Sequence, residues 1–119
     1  MKDWSRITEY LNLLLHNTRY APYVMALLKV IPLLQNAPMF ADIEPGLTHL
    51  TLTLSPHNTS QRVHLDFEGA GYYNIYLDRP EISNLGVETY RDHVTVPFEA
   101  VIATLQTYLQ RLREVRAAV

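Results

Sequence analysis

Hydrophobic and polar positions alternate most regularly between Gln61 and Asp78. Val63, Leu65 and Phe67 alternate with Arg62, His64, Asp66 and Glu68, and Tyr73, Ile75 and Leu77 alternate with Tyr72, Asn74, Tyr76 and Asp78. A period of two places each set on one face of a strand. Between the runs lie Gly69, Ala70 and Gly71, which suit a three-residue hairpin loop with glycine in the left-handed position. That loop sets Phe67 opposite Tyr73, Leu65 opposite Ile75 and Val63 opposite Leu77 on a dry face. On a wet face it sets Glu68 opposite Tyr72, Asp66 opposite Asn74, His64 opposite Tyr76 and Arg62 opposite Asp78. A slip of one residue would mix the faces, so the pattern itself specifies the register.

The rest of the chain must cover the dry face. Asp3 to Asn17 has a helical pattern, with Trp4, Ile7, Leu11, Leu14 and Leu15 on one stripe and Asp3 or Ser5 as its cap. A second helix starts at Pro22, with Tyr20, Tyr23, Val24, Leu27, Leu28 and Ile31 as its stripe. Met25, Ala26 and Val30 fall off that stripe and are also apolar, and Pro32 is expected to kink or end the helix. Gln35 to Gly46, with Pro38, Pro45 and Gly46, reads as a loop. Thr48 to Ser55 reads as one strand and Ser55 to Ser60 as a turn, where Asn58-Thr59-Ser60 matches a glycosylation acceptor. Arg79 to Asp92 reads as irregular, with a short edge strand at Val87 to Tyr90, and His93 to Val96 as strand or as the approach to a helix. Pro97 to about Arg116 is the last helix, apolar along Phe98, Val101, Ile102, Leu105, Tyr108, Leu109 and Leu112.

These elements predict one α+β domain spanning residues 1–119: two N-terminal helices, a meander of three or four antiparallel strands, and a C-terminal helix packed on one sheet face. A sheet of that size is roughly 15–20 Å wide and takes two helices of about 10 Å each. The segment from Ala21 to Leu34 would then be left partly uncovered. Met25, Val30 and Leu33 are therefore expected to form a homodimer interface, since a twofold contact covers the same patch on both copies.

Composition narrows the chemistry. Hydrophobic residues make up 48% of the 119 positions and charged residues 18%, values of a folded globular chain. Ten basic residues stand against twelve acidic ones, a balance that argues against nucleic acid as a partner, including through Arg111, Arg113 and Arg116. The absence of cysteine removes thiol catalysis and cysteine zinc sites. The Ala21–Leu34 run is too short to span a bilayer and is interrupted by Lys29 and Pro32, and Met1 to Tyr10 has no apolar core of the leader type. No membrane association is expected, and the cytoplasm is the expected location.

One constellation carries possible chemistry. His64, Asp66 and Glu68 share a strand face at about 6.6–7 Å spacing, and His49 could join them from the neighbouring strand. An imidazole beside two carboxylates can hold a divalent metal or divide acid and base roles. The plainer account is that these are the polar residues any half-exposed sheet carries on its wet face. There is no phosphate loop, nucleophile elbow or dinucleotide fingerprint, so no cofactor is implied. Tyr72 and Tyr76, with Arg62 nearby, are of the residue types that anchor protein interfaces. The pattern favours a non-enzymatic, homodimeric protein-interaction domain; the alternative is a small metal-dependent or acid–base enzyme using His64, Asp66 and Glu68.

Overall fold

A computed structural model describes residues 3–57, 61–83 and 86–117, with 78–83, 86–91 and 115–117 described by backbone alone. The chain forms helices α1 (Trp4–Leu14) and α2 (Ala21–Asn36), then strands β1 (Ile43–Thr48), β2 (Thr51–Pro56), β3 (Val63–Gly69), β4 (Tyr72–Ser83) and β5 (Gly86–Pro97), and finally helix α3 (Val101–Ala117). Short 3-10 turns at Pro38–Phe40 and Phe98–Ala100 precede β1 and α3. The five strands lie in sequence order as an antiparallel meander. The architecture is α+β, with one more strand than the upper count expected.

The central hairpin keeps the expected register from Val63 opposite Leu77 to Phe67 opposite Tyr73. Its tip differs. Gly69, not Glu68, lies opposite Tyr72, with a bulge between Phe67 and Gly69. The turn itself is the two-residue Ala70-Gly71, and both have positive φ, 52° and 83°. Such a turn matches the twist of the flanking strands. A bare two-residue turn would shift the ladder by one residue, and the extra residue of the bulge restores the register that buries Leu65 and Ile75. Arg62 precedes β3, and the side chain of Asp78 lies outside the described residues, as does the acceptor Asn58-Thr59-Ser60.

Two expected loops are strands. Ile43–Thr48 is the edge strand β1, which turns through His49 (φ 55°) and Leu50 into β2. Arg79 to Asp92, expected to be irregular apart from a short edge strand at Val87 to Tyr90, continues the β4–β5 ladder as far as Ser83 opposite Gly86 and takes in that edge strand. Prolines obscured both. A proline cannot donate to a ladder, so a strand tolerates it only where its nitrogen points away from a neighbour. Two tight turns are closed by Thr48 with Thr51 and Gly69 with Tyr72, and the alternation set at Tyr72 carries along β4 to its pairs with β5. The pair closing a two-residue turn is hydrogen-bonded, and alternate pairs follow from it. By that count Pro45 and Pro97 turn their nitrogens to the outer edges of the sheet. Pro56 and Pro80 turn theirs toward the side of β3, beyond the ends of its ladder.

All three helices contact the same side of the sheet: α1 reaches β1, α2 lies over β3 and against α1, and α3 crosses β2, β3 and β4. Five strands at about 4.8 Å spacing give the width that three or four do not. Alternation puts Leu52 and Leu54 of β2, Val63 and Leu65 of β3, and Tyr73, Ile75 and Leu77 of β4 on that side, all buried. Val24, Leu27, Val30, Ile31 and Leu34 of α2 and Val101, Leu105, Leu109 and Leu112 of α3 close the same core. Burying one such side chain is worth about 1.5–3 kcal/mol. Helix α1 starts where Asp3 accepts a 2.7 Å hydrogen bond from the Ser5 N–H. Helix α2 runs through Pro32 to Asn36. Pro32 is exposed, so water can reach the backbone it leaves unpaired, while Ile31 and Leu34 anchor the turn in the core.

Candidate functional site: the helix-free face of the sheet

Because the helices share one side, the other side of the sheet carries no packed element among the described residues. Its side chains form rows across the strands. One row runs from Gly46 through Thr53, His64 and Tyr76 to His93. The His64 and Tyr76 rings are stacked, with centroids 4.7 Å apart and planes within 3°. The His93 ring lies 6.5 Å beyond Tyr76 at a tilt of 54°. Thr53, at 5% exposure, is enclosed by this row although it sits on the polar side.

The next row is organised by Asn74. Its Nδ2 donates to Asp66 Oδ1 at 3.1 Å. Its Oδ1 accepts from Thr95 Oγ1 at 2.9 Å and lies 3.0 Å from His93 Nε2, which donates to it. One amide therefore ties β3, β4 and β5 together on the open face. The sequence pattern missed this hub because His93 to Val96 reads as strand or as the approach to a helix, with no partner strand fixed for it. The alternation of His93 and Thr95 with Val94 and Val96 is the signal that would have found it.

The expected triad does not converge. His64 and Asp66 share the face, but Glu68 falls in the bulge, exposed and out of ladder register. His49 is in the tight turn, and the residue opposite His64 on β2 is Thr53. Among the described residues, no three His, Asp or Glu side chains come together where a metal ion could sit. The face is open: the hollow at the hairpin tip, lined by Glu68, Gly69, Ala70, Tyr72 and Thr95, is shallow. Tyr72 is 47% exposed, Tyr76 half-buried in its stack, and Arg62 exposed just before β3.

The expected dimer patch also changes. Val30 is fully buried inside this chain, so it cannot line a contact with a second copy; its side of α2 packs into the core that the wider sheet makes possible. Met25 (62% exposed) and Leu33 (44% exposed) remain at the surface of α2. Lys29 lies between them in sequence, with its Nζ 4.0 Å from the centre of the Phe98 ring. Of the C-terminal arginines, Arg113 bonds Asp42 at 2.7 Å and the Met39 carbonyl at 3.1 Å, and Arg111 lies 3.6 Å from Asp92. The side chain of Arg116 lies outside the described residues.

No family model, curated protein or solved structure matches the chain. No described helix is long and apolar enough to cross a membrane.

Proposed function

We propose that the chain is a non-enzymatic protein-interaction domain that binds another protein through the helix-free face of its sheet. One observation carries this reading: the polar side chains of that face are already held by one another. His64 is stacked on Tyr76, and Asp66, His93 and Thr95 all bond Asn74. A surface fixed in this way loses little side-chain freedom on docking, which is where much of the cost of association lies. Tyr72 and Tyr76 supply anchors of the kind that concentrate binding energy, and Arg62 stands at the rim. The enzymatic alternative needs His64, Asp66 and Glu68 around a hollow that excludes water. The open face, the engaged Asp66 carboxylate and the displaced Glu68 give it less support.

Affinity capture from the native host tests the proposal. The wild-type chain is expected to retain a discrete protein, and Tyr76→Asp, with an unchanged far-UV circular dichroism spectrum, is expected to lose it. Leu33→Asp, on the helix side, should retain it. Capture that ignores Tyr76→Asp and disappears with Leu33→Asp would overturn the assignment of the face.

A further inference from the structure

The sheet has two edges, and they are not alike. β1 is six residues long, and Pro45 leaves the middle of its outer edge without a donor. β5 is twelve residues long, has β4 as its only strand neighbour among the described residues, and carries its proline at the last position. Tyr72 closes the β3–β4 turn and bonds to β3, so the odd-numbered residues of β4 bond to their even-numbered partners on β5. His93 and Thr95 therefore turn their backbone N–H and C=O groups outward. Proteins ordinarily blunt or cover so long an edge, because it is a template for another strand.

We propose that the β5 edge is a self-association surface, on which β5 of a second copy pairs antiparallel about a twofold axis normal to the sheet. This inference stands independently of the partner assigned to the open face. A second copy is the occupant because an antiparallel strand pair is self-complementary: the groups that His93 and Thr95 offer are those an identical strand, reversed, requires. Keeping like faces together restricts the register. Centring the axis on Arg91 or Asp92 would set a charge against its own copy. Centring it on His93 sets His93 against its own copy and Arg91 against Thr95 of the second copy; centring it on Val94 sets His93 against Thr95. In neither does a guanidinium or a carboxylate face its own copy.

A groove beside the edge supports the same occupant. It lies between β5 and α3 and is lined by Val94, Ala103, Thr104, Thr107, Tyr108 and Arg111. An added strand would lay its helix-side residues there. With the axis normal to the sheet, both helix layers lie on one side, and α3 of each copy approaches the other over the small residues Ala103 and Thr107. The edge is also held in place from the open face, where His93 and Thr95 bond Asn74.

Sedimentation equilibrium of the full chain tests this. A species of twice the 13.7 kDa chain mass is expected at high micromolar concentration. Thr95→Lys sets an ammonium group opposite Arg91 or His93 of the second copy and is expected to raise the dissociation constant about tenfold or more. Thr48→Lys on β1 and Leu33→Asp on α2 should leave it unchanged. In the wild-type protein, the amides of His93 and Thr95 should exchange slowly with solvent when concentrated and rapidly on dilution, a readout that needs no variant to fold. A chain that stays monomeric, a dimer whose His93 and Thr95 amides are unprotected, or one that Leu33→Asp and not Thr95→Lys dissociates, would overturn the proposal.

Discussion

Tyr73 shows how one side chain joins the two layers. It is a β4 residue on the helix side, almost fully buried, and its hydroxyl donates to the Ala26 carbonyl of α2 at 2.9 Å. Tyr73→Phe removes that bond and little else, and should lower stability in urea denaturation by about 1 kcal/mol. Burial raises its phenol above the usual 10.0, because the charged form would lose its water. The folded state therefore favours the neutral form. Stability from this group is fully present below its ordinary value and is lost as pH rises through the higher folded one. Urea midpoints should be insensitive to this group near neutrality and decline in alkali, more shallowly for Tyr73→Phe. On the open face Asn74 is the residue that others depend on. Asn74→Ala should cost about 1 kcal/mol, whereas alanine at His64, Asp66 or Glu68 should cost less than that in the same assay. Stoichiometric metal lost with any of those three would instead favour the enzymatic alternative.

At the level of elements, the dry and wet faces of the central hairpin were legible because Val63, Leu65, Ile75 and Leu77 repeat with a period of two and no proline intervenes. β1 and the far end of β4 were not legible, and of β5 only the short pieces at Val87 to Tyr90 and His93 to Val96 were. Pro45 and Pro80 signal a break to any local reading, and only the position of a strand relative to its neighbours makes them harmless. Glu68 was misplaced for a related reason: Gly69, Ala70 and Gly71 fit a three-residue loop as well as a bulge followed by a two-residue turn, and the sequence does not distinguish the two. Two experiments follow. Ala70 adopts the left-handed conformation at φ 52°, so Ala70→Gly should raise stability by about 0.5–1 kcal/mol in thermal or urea unfolding. Proline at Val94 removes a ladder bond to β4 and should cost about 3 kcal/mol or more, while proline at Thr95 faces outward and should leave the far-UV circular dichroism spectrum intact. Equal losses at the two positions would contradict the bonding alternation on which the edge argument depends.

For the whole molecule, the width of the sheet decides how the surface is used. Two strands beyond the three that the pattern marks clearly let α1, α2 and α3 share one side, bury Val30 inside the chain, and leave the opposite side without a packed helix among the described residues. The β4–β5 ribbon continues past the last β3 pair at Leu77 and lengthens the molecule to 49 × 31 × 26 Å. Its radius of gyration, 14.9 Å, exceeds the roughly 13.5 Å typical of a compact chain of this length. The candidate residues Tyr72 and Tyr76 were legible as wet-face tyrosines, but their setting beside Asn74 and His93 depends on β5 and was not. The central claim is that a partner protein docks on that opposite side. Photo-crosslinking in the native host addresses it most directly, with a benzophenone amino acid placed in turn at Tyr72, Tyr76 and Leu33. A discrete adduct from Tyr72 or Tyr76 and none from Leu33 is the predicted result; an adduct from Leu33 alone would contradict the account.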